Sequence, residues 1–260
     1  MAMNLPPVDY QAPQVSPFRS GGLYGAATVQ QAPRPARIQG GMNLLPTNCS
    51  DGWGQLAPDC PPGEGVDLSG VGPGLGTMFP ATVVWASDQC ALGPRTDEEA
   101  RDRSLHILNL KEQVAAEAHV ATILPTMAGQ ALTAEGEKPE DRLADAVGIL
   151  EAQLASEGIP GALHLPARHV TLAQKAGVLR WQGGQPLTPM GFKWVLGGGY
   201  GDLLGSVYAT GPVTVLRSEV SATRALSPQS NERLVVAMRE LVVGWECLTT
   251  AVEYMTQEGV

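Results

Sequence analysis

The chain has 260 residues, enough for one large domain or two small ones, and 43% of them are apolar, enough for a substantial core. The formal net charge is −9 and no Lys/Arg-rich patch stands out, so a grip on a nucleic-acid backbone is not expected. Glycines and prolines number 52 (31 + 21), well above ordinary usage and concentrated before residue 80, which points to a long irregular N-terminal region.

The first ten residues, MAMNLPPVDY, lack a basic start followed by an apolar run, so no secretory signal is expected. No run of eighteen apolar residues occurs, so no membrane span is expected either. The following stretch alternates Pro, Gly and isolated hydrophobes, a pattern that cannot propagate a helix. It nonetheless keeps Tyr10, Phe18, Leu23, Tyr24 and Val29, more apolar anchors than a solvated tail needs. This reads as an extended arm that packs on another surface, a neighbouring copy being one candidate; a disordered tail is the alternative. Asp51-Gly52 and Pro61-Pro62 mark turns, with Trp53 as an anchor against the body. The glycine-rich VDLSGVGPGLG lacks the terminal G-K-[ST] of a phosphate loop and a preceding strand, so a nucleotide site is not expected.

Residues 79–86, FPATVVWA, form the first convincing strand, with Asp88 and Cys90 in a turn after it. Thr96 and Glu99 have the spacing of a capping box, and Asp97 and Glu98 suit a helix N-terminus. That helix is expected to end near Ile123, before Pro125. Leu105, Leu108, Val114, Ala118 and Ile123 are its apolar positions, and Arg101, Arg103, Lys111, Glu112 and Glu117 face solvent or a partner. Residues 126–141 read as a linker. Pro139 opens a second helix whose Leu143, Val147, Leu150 and Leu154 form one apolar stripe, with Gly158 as its stop. ALHLP is a strand ending at Pro166, followed by a short helix through Lys175. A hairpin turns at Gly183-Gly184, and Phe192, Trp194 and Val195 lead into Gly197-Gly198-Gly199. Those glycines have no Lys or Ser/Thr placed to hold phosphate and read as a tight crossing of backbones. VYATGPVTVLRSEV is two strand pieces broken at Gly211-Pro212. ERLVVAMRELVVGWE and AVEYM read as strands, although a buried helix fits the first as well.

Candidate chemistry is sparse. Asp88, His106, His119, His164, His169 and Glu219 form no set that spacing can define. His106 and His119 are thirteen residues apart, too far for a metal pair on one helix turn, and His164 and His169 have no Ser or Cys partner at a readable distance. Cys49, Cys60, Cys90 and Cys247 make no C-x-x-C pair. Four free thiols is the simplest reading, a Cys49–Cys60 disulfide the alternative, and a zinc site is not expected from the spacing. No catalytic, cofactor-binding or metal-binding residue is nominated, no cofactor is expected, and an enzyme or small-molecule binder ranks last among the readings.

The order of elements resembles the HK97-type major capsid proteins of tailed bacteriophages and, more distantly, the encapsulin shells. KEQVAAEAHV, Thr188-Pro189-Met190-Gly191 and Tyr208-Ala209-Thr210-Gly211-Pro212 are similar to a class of actinobacterial phage structural proteins. The resemblance implies an α+β, HK97-like capsid fold with an extended N-terminal arm, a long packing helix and glycine-punctuated β-sheet segments. The arm and irregular region would occupy residues 1–78 and the capsid body 79–260, with about 158–220 axial-domain-like and the remainder peripheral-domain-like. The implied function is a major capsid subunit that self-assembles into the icosahedral head shell around phage DNA. The alternative is a minor capsid, connector or tail protein. Its partners would be copies of itself and other virion proteins, with packaged DNA met only through non-specific proximity, and its place the virion, assembled in the host cytoplasm. No membrane and no small-molecule substrate are implied. No Lys–Asn crosslink pair can be assigned, so covalent chain-mail is not expected.

Overall fold

A computed structural model describes residues 13–17, 20–32, 35–49, 76–91, 96–203, 205–227 and 232–255. Tyr10, Phe18, Trp53 and the glycine-rich stretch up to residue 75 lie outside them. The elements in chain order begin with α1 (Leu23–Ala26), β1 (Thr28–Gln31), a 3-10 segment (Pro35–Gly40), β2 (Met42–Leu44), β3 (Thr77–Phe79) and β4 (Ala81–Ala91). The long helix α2 (Asp97–Ala128), β5 (Leu132–Thr133), α3 (Pro139–Glu157), β6 (Ala162–Pro166) and α4 (Val170–Lys175) follow. The chain then runs through β7 (Arg180–Gln182), β8 (Gln185–Leu187), β9 (Lys193–Gly197), β10 (Ser206–Thr210), β11 (Val213–Arg217), β12 (Ser221–Ser227), β13 (Glu232–Trp245) and β14 (Thr249–Glu253).

The strands form two main sheets. In the first, the 14-residue β13 is the axis: β4 pairs along one edge, while β12 and then β11 pair along the other, and β1 lies parallel to β11 outside it. In the second, the order is β5-β14-β10-β6-β9-β8-β7. A small β2–β3 ladder packs beside the first. There are two cores, and the second sheet contributes to both, with Ala162, Val195, Tyr208 and Ala251 in the first. Leu108, Val120 and Leu124 of α2 pack with Phe79, Val215, Leu241 and Val243. Leu143, Val147, Leu150 and Leu154 of α3 pack with Leu163, Trp194, Val207 and Tyr254.

The β-branched alternation in β4 does what a half-buried strand requires: Val84 and Ala86 are buried, while Val83 and Trp85 point outward, Trp85 at 64% exposure. The strand continues through Ala91, so Asp88 and Cys90 belong to the β13 ladder instead of a turn. Thr96 and Glu99 form the capping box reciprocally, Glu99 N–H donating to Thr96 Oγ1 at 3.2 Å and Thr96 N–H to Glu99 Oε2 at 2.8 Å. The helix does not stop before Pro125 but runs to Ala128. Proline there removes one bond near the end of a helix that Val120, Ala121 and Leu124 already anchor in the core. The α3 stripe is completely buried and Gly158 closes the helix at φ 66°.

In the expected arm region, Leu23 is fully buried and β1 pairs with β11 of the first sheet, so these anchors pack on their own chain. Two further expectations are revised. The segment after α2 contributes β5, parallel to β14. Cys49 and Cys247, 198 residues apart, form a disulfide, which corrects both the free-thiol reading for this pair and the Cys49–Cys60 alternative. Connectivity of this kind is decided by which loops the fold brings together, not by spacing.

Candidate functional site

The polar groups that organise the molecule lie on the inward face of α2. Ala100, Ser104, Leu108, Glu112, Ala116, Val120 and Leu124 recur every four residues and are all buried. Glu112 therefore sits in the middle of the core row, not on the outer face. Its Oε1 accepts from Tyr24 Oη at 2.8 Å and from Arg217 Nη1 at 3.3 Å, and its Oε2 from Arg239 Nη1 at 2.7 Å. One carboxylate thus joins the arm to β11 and β13, with two arginines supplying the compensation a buried charge needs. Burial, followed by the neighbouring Glu112, pushes the Tyr24 phenol far above its ordinary range and keeps it a neutral donor.

Glu117 does the same work one turn further on. It is fully buried, and it accepts from Leu23 N–H and from Gly199 N–H, each at 3.0 Å. Burial raises its pKa, and the backbone donors of Leu23, Gly199 and Gly198 oppose that rise. The glycine run owes its composition to this contact. A Cβ on Gly199 would stand 2.2 Å from the Val114 carbonyl oxygen of α2, and one on Gly197 would stand 2.5 Å from the Tyr200 ring. The close crossing of backbones read from the glycines is therefore present, and its partner is the long helix.

A third buried carboxylate lies on α3, where Glu151 accepts from Met190 N–H at 2.8 Å and holds the Thr188–Gly191 turn. The expectation that Glu112 and Glu117 face solvent or a partner is corrected, since both are buried, and Glu151 is a buried carboxylate that the sequence reading does not single out. For Glu112 and Glu151 the readable signal is a carboxylate standing in register with the apolar row of its helix.

The remaining candidate residues are dispersed. Asp88 faces Arg103 at 3.7 Å, His106 is half-buried on α2, His119 Nε2 lies 3.2 Å from the Pro80 carbonyl oxygen, and Glu219 is exposed. His164 is fully buried between Tyr200 Oη (2.8 Å from Nδ1) and Thr210 Oγ1 (2.9 Å from Nε2). Burial lowers its pKa to about 3, so it is a neutral core group. His169 Nδ1 is hydrogen-bonded to Tyr254 Oη, and burial followed by Arg168 lowers its pKa. The hydrogen bonds of both rings are with hydroxyls, and among the described residues neither ring is hydrogen-bonded to the carboxylate that would orient a general base. Among the described residues no helix is long and apolar enough to cross a membrane.

No family model matches the sequence, and no curated protein matches it. Solved structures do. The capsid of an empty GTA particle superposes with a TM-score of 0.60 at 10% identity, covering 97% of this chain and 96% of the other. A structure from Mycobacterium phage Bobi gives 0.55 at 13% identity, covering 97% and 96%. The holo-SrpI encapsulin complex from Synechococcus elongatus PCC 7942 gives 0.51 at 8%, covering 95% and 92%. At these identities the likeness is one of fold. The chain has the HK97-like capsid fold, matched along nearly its whole length.

Proposed function

We propose that this chain is a major capsid subunit that self-assembles into the closed head shell of a tailed bacteriophage. The observation that carries the reading is the near-complete coverage in both directions between this chain and the GTA capsid. The internal design supports it. The buried groups of α2 and α3 tie segments distant in sequence into one body, while Val83 and Trp85 stay exposed on β4. A shell subunit acts through many weak contacts between copies, and its chemistry is assembly, not catalysis. The net charge of −9 suits a wall that should not adhere to packaged DNA, which it meets without specific contacts. In this reading residues 1–78 serve as the arm region and 79–260 as the body, with about 158–220 axial-domain-like. The core around α3, β6, β9 and β10 supports that division, and β14 joins it from the C-terminal side. Assembly takes place in the host cytoplasm with the other virion proteins.

Negative-stain microscopy of the purified protein tests this. Closed particles of uniform size are expected. A stable monomer under all conditions would sink the reading, and rings or tubes in place of shells would shift it to a connector or tail role.

A further inference from the structure

The turn between β13 and β14 departs from regular strand pairing. Thr210 faces Thr249 and Val213 faces Trp245, so residues 211–212 on one strand oppose 246–248 on the other. One strand carries an extra residue, as in a β-bulge. At the centre Cys247 adopts φ 67°, the one non-glycine residue with positive φ among those described, and Leu248 N–H donates back to the Glu246 carbonyl at 2.9 Å. This is a three-residue turn in the rare, strained form, at a position where glycine is the ordinary choice. The conformation presents the Cys247 sulfur to Cys49, and the two are bonded.

The carboxylate of Glu246 lies in the same cluster: its oxygen and the two sulfurs are all within 4.8 Å of one another. It is also held in place. Oε2 accepts from Thr47 N–H at 2.7 Å and Asn48 N–H at 3.0 Å, and Oε1 accepts from Asn48 Nδ2 at 3.0 Å. Outer hydrogen bonds that fix a carboxylate's orientation are what a metal-ligating carboxylate ordinarily has, and Oε1 keeps a further lone pair. The sequence spacing argued against a zinc site, but 198 residues of chain separation vanish when the two loops meet.

We propose that Cys49, Cys247 and Glu246 form a redox-governed cation site. Oxidised, the two sulfurs are a disulfide; reduced, they and the carboxylate bind one soft divalent cation of the zinc class, with water in the remaining position. Two thiolates and a carboxylate suit zinc, and the exposure of Cys247 leaves a route for solvent and metal. The exchange balances. Two thiols of a dithiol reductant become its disulfide, and the Sγ–Sγ bond takes up the two electrons and two protons. Cation binding then releases the two thiol protons to solvent. The site stands independently of the shell reading.

The test uses the full chain with Cys60 and Cys90 replaced by serine, so that Cys49 and Cys247 are the only thiols. Thiol titration without reductant is expected to find none free, and after a phosphine reductant both. Co2+ added to the reduced, desalted protein should then give thiolate-to-metal charge-transfer absorption that Zn2+ abolishes by displacement. Iodoacetamide treatment of the reduced protein should remove the absorption without any further substitution. E246Q should weaken Co2+ binding by at least about tenfold while the disulfide still forms. A disulfide that the phosphine cannot reduce in the folded chain, Co2+ spectra without charge-transfer bands, or an unchanged affinity in E246Q would each overturn the proposal. Should the double-serine chain fail to fold, the unsubstituted chain is read against its Cys49→Ser variant, and equal charge-transfer intensity in the two overturns it likewise.

Discussion

His164 gives a prediction that can be worked through quantitatively. Its ring is fully buried and both nitrogens are committed, to Tyr200 and Thr210. Burial holds its pKa at about 3, against 6.5 for a solvated imidazole. The folded state therefore binds fewer protons at this position than the unfolded chain. The stabilisation is fully present above pH 6.5 and is lost as the pH falls towards 3. At pH 5 the unfolded ring is already mostly protonated while the folded one is not. The loss from this group is then about 2 kcal/mol, from about 1.4 kcal/mol for each pH unit below 6.5. The experiment is urea denaturation of the unassembled subunit at pH 7.5 and pH 5, for the parent and for His164→Gln, which keeps an amide able to reach one hydroxyl but does not titrate. His164→Gln is expected to be the less stable at pH 7.5 and to lose about 2 kcal/mol less than the parent on acidification. Other titrating groups cancel in that difference. Identical pH dependence in the two proteins would refute the assignment of a buried neutral imidazole.

Four other outcomes follow from the structure. Gly199→Ala places a Cβ 2.2 Å from a helix carbonyl and should cost about 2 kcal/mol or more, whereas Gly201→Ala, with open space around it, should cost under about 1 kcal/mol; thermal melts of the two variants decide this. Glu112→Ala leaves two arginines without their carboxylate and should destabilise by about 3 kcal/mol, and equal stability to the parent in denaturant would contradict a clamped hub. Cys247→Ser opens a loop of 198 residues and should lower stability by up to about 5 kcal/mol under non-reducing conditions, with no difference from the parent once both are reduced. Trp85→Lys should change subunit stability by less than about 0.5 kcal/mol yet reduce the yield of closed particles in microscopy, and normal yields would remove β4 from the assembly surface.

Much of the architecture was legible because local chemistry agrees with the fold. The α3 stripe, the Thr96–Glu99 box, the Gly183-Gly184 turn and the break at Gly211-Pro212 are each decided within a few residues of chain. What escaped reading depends on partners far away. Glu112 and Glu117 look like ordinary surface acids until Arg217, Arg239, Leu23 and Gly199 are brought to them. Pro125 reads as a helix stop, because sequence rules do not register that the preceding turn is already pinned by Leu124. The Cys49–Cys247 bond joins two loops whose proximity exists only after both sheets have formed.

Two of the connections between the sheets, β10 to β11 and β13 to β14, lie side by side. Gly211 N–H donates to the Leu248 carbonyl at 3.1 Å and Glu246 N–H to the Pro212 carbonyl at 3.3 Å. At this joint two covalent chains are laced together by backbone hydrogen bonds, so the sheets are coupled here independently of side-chain packing. Such a joint resists stretching with backbone bonds and resists sliding with the hydrogen bonds between them. Together with α2, which leads from β4 of the first sheet to β5 of the second, it fixes the two sheets to one another by more than side-chain packing.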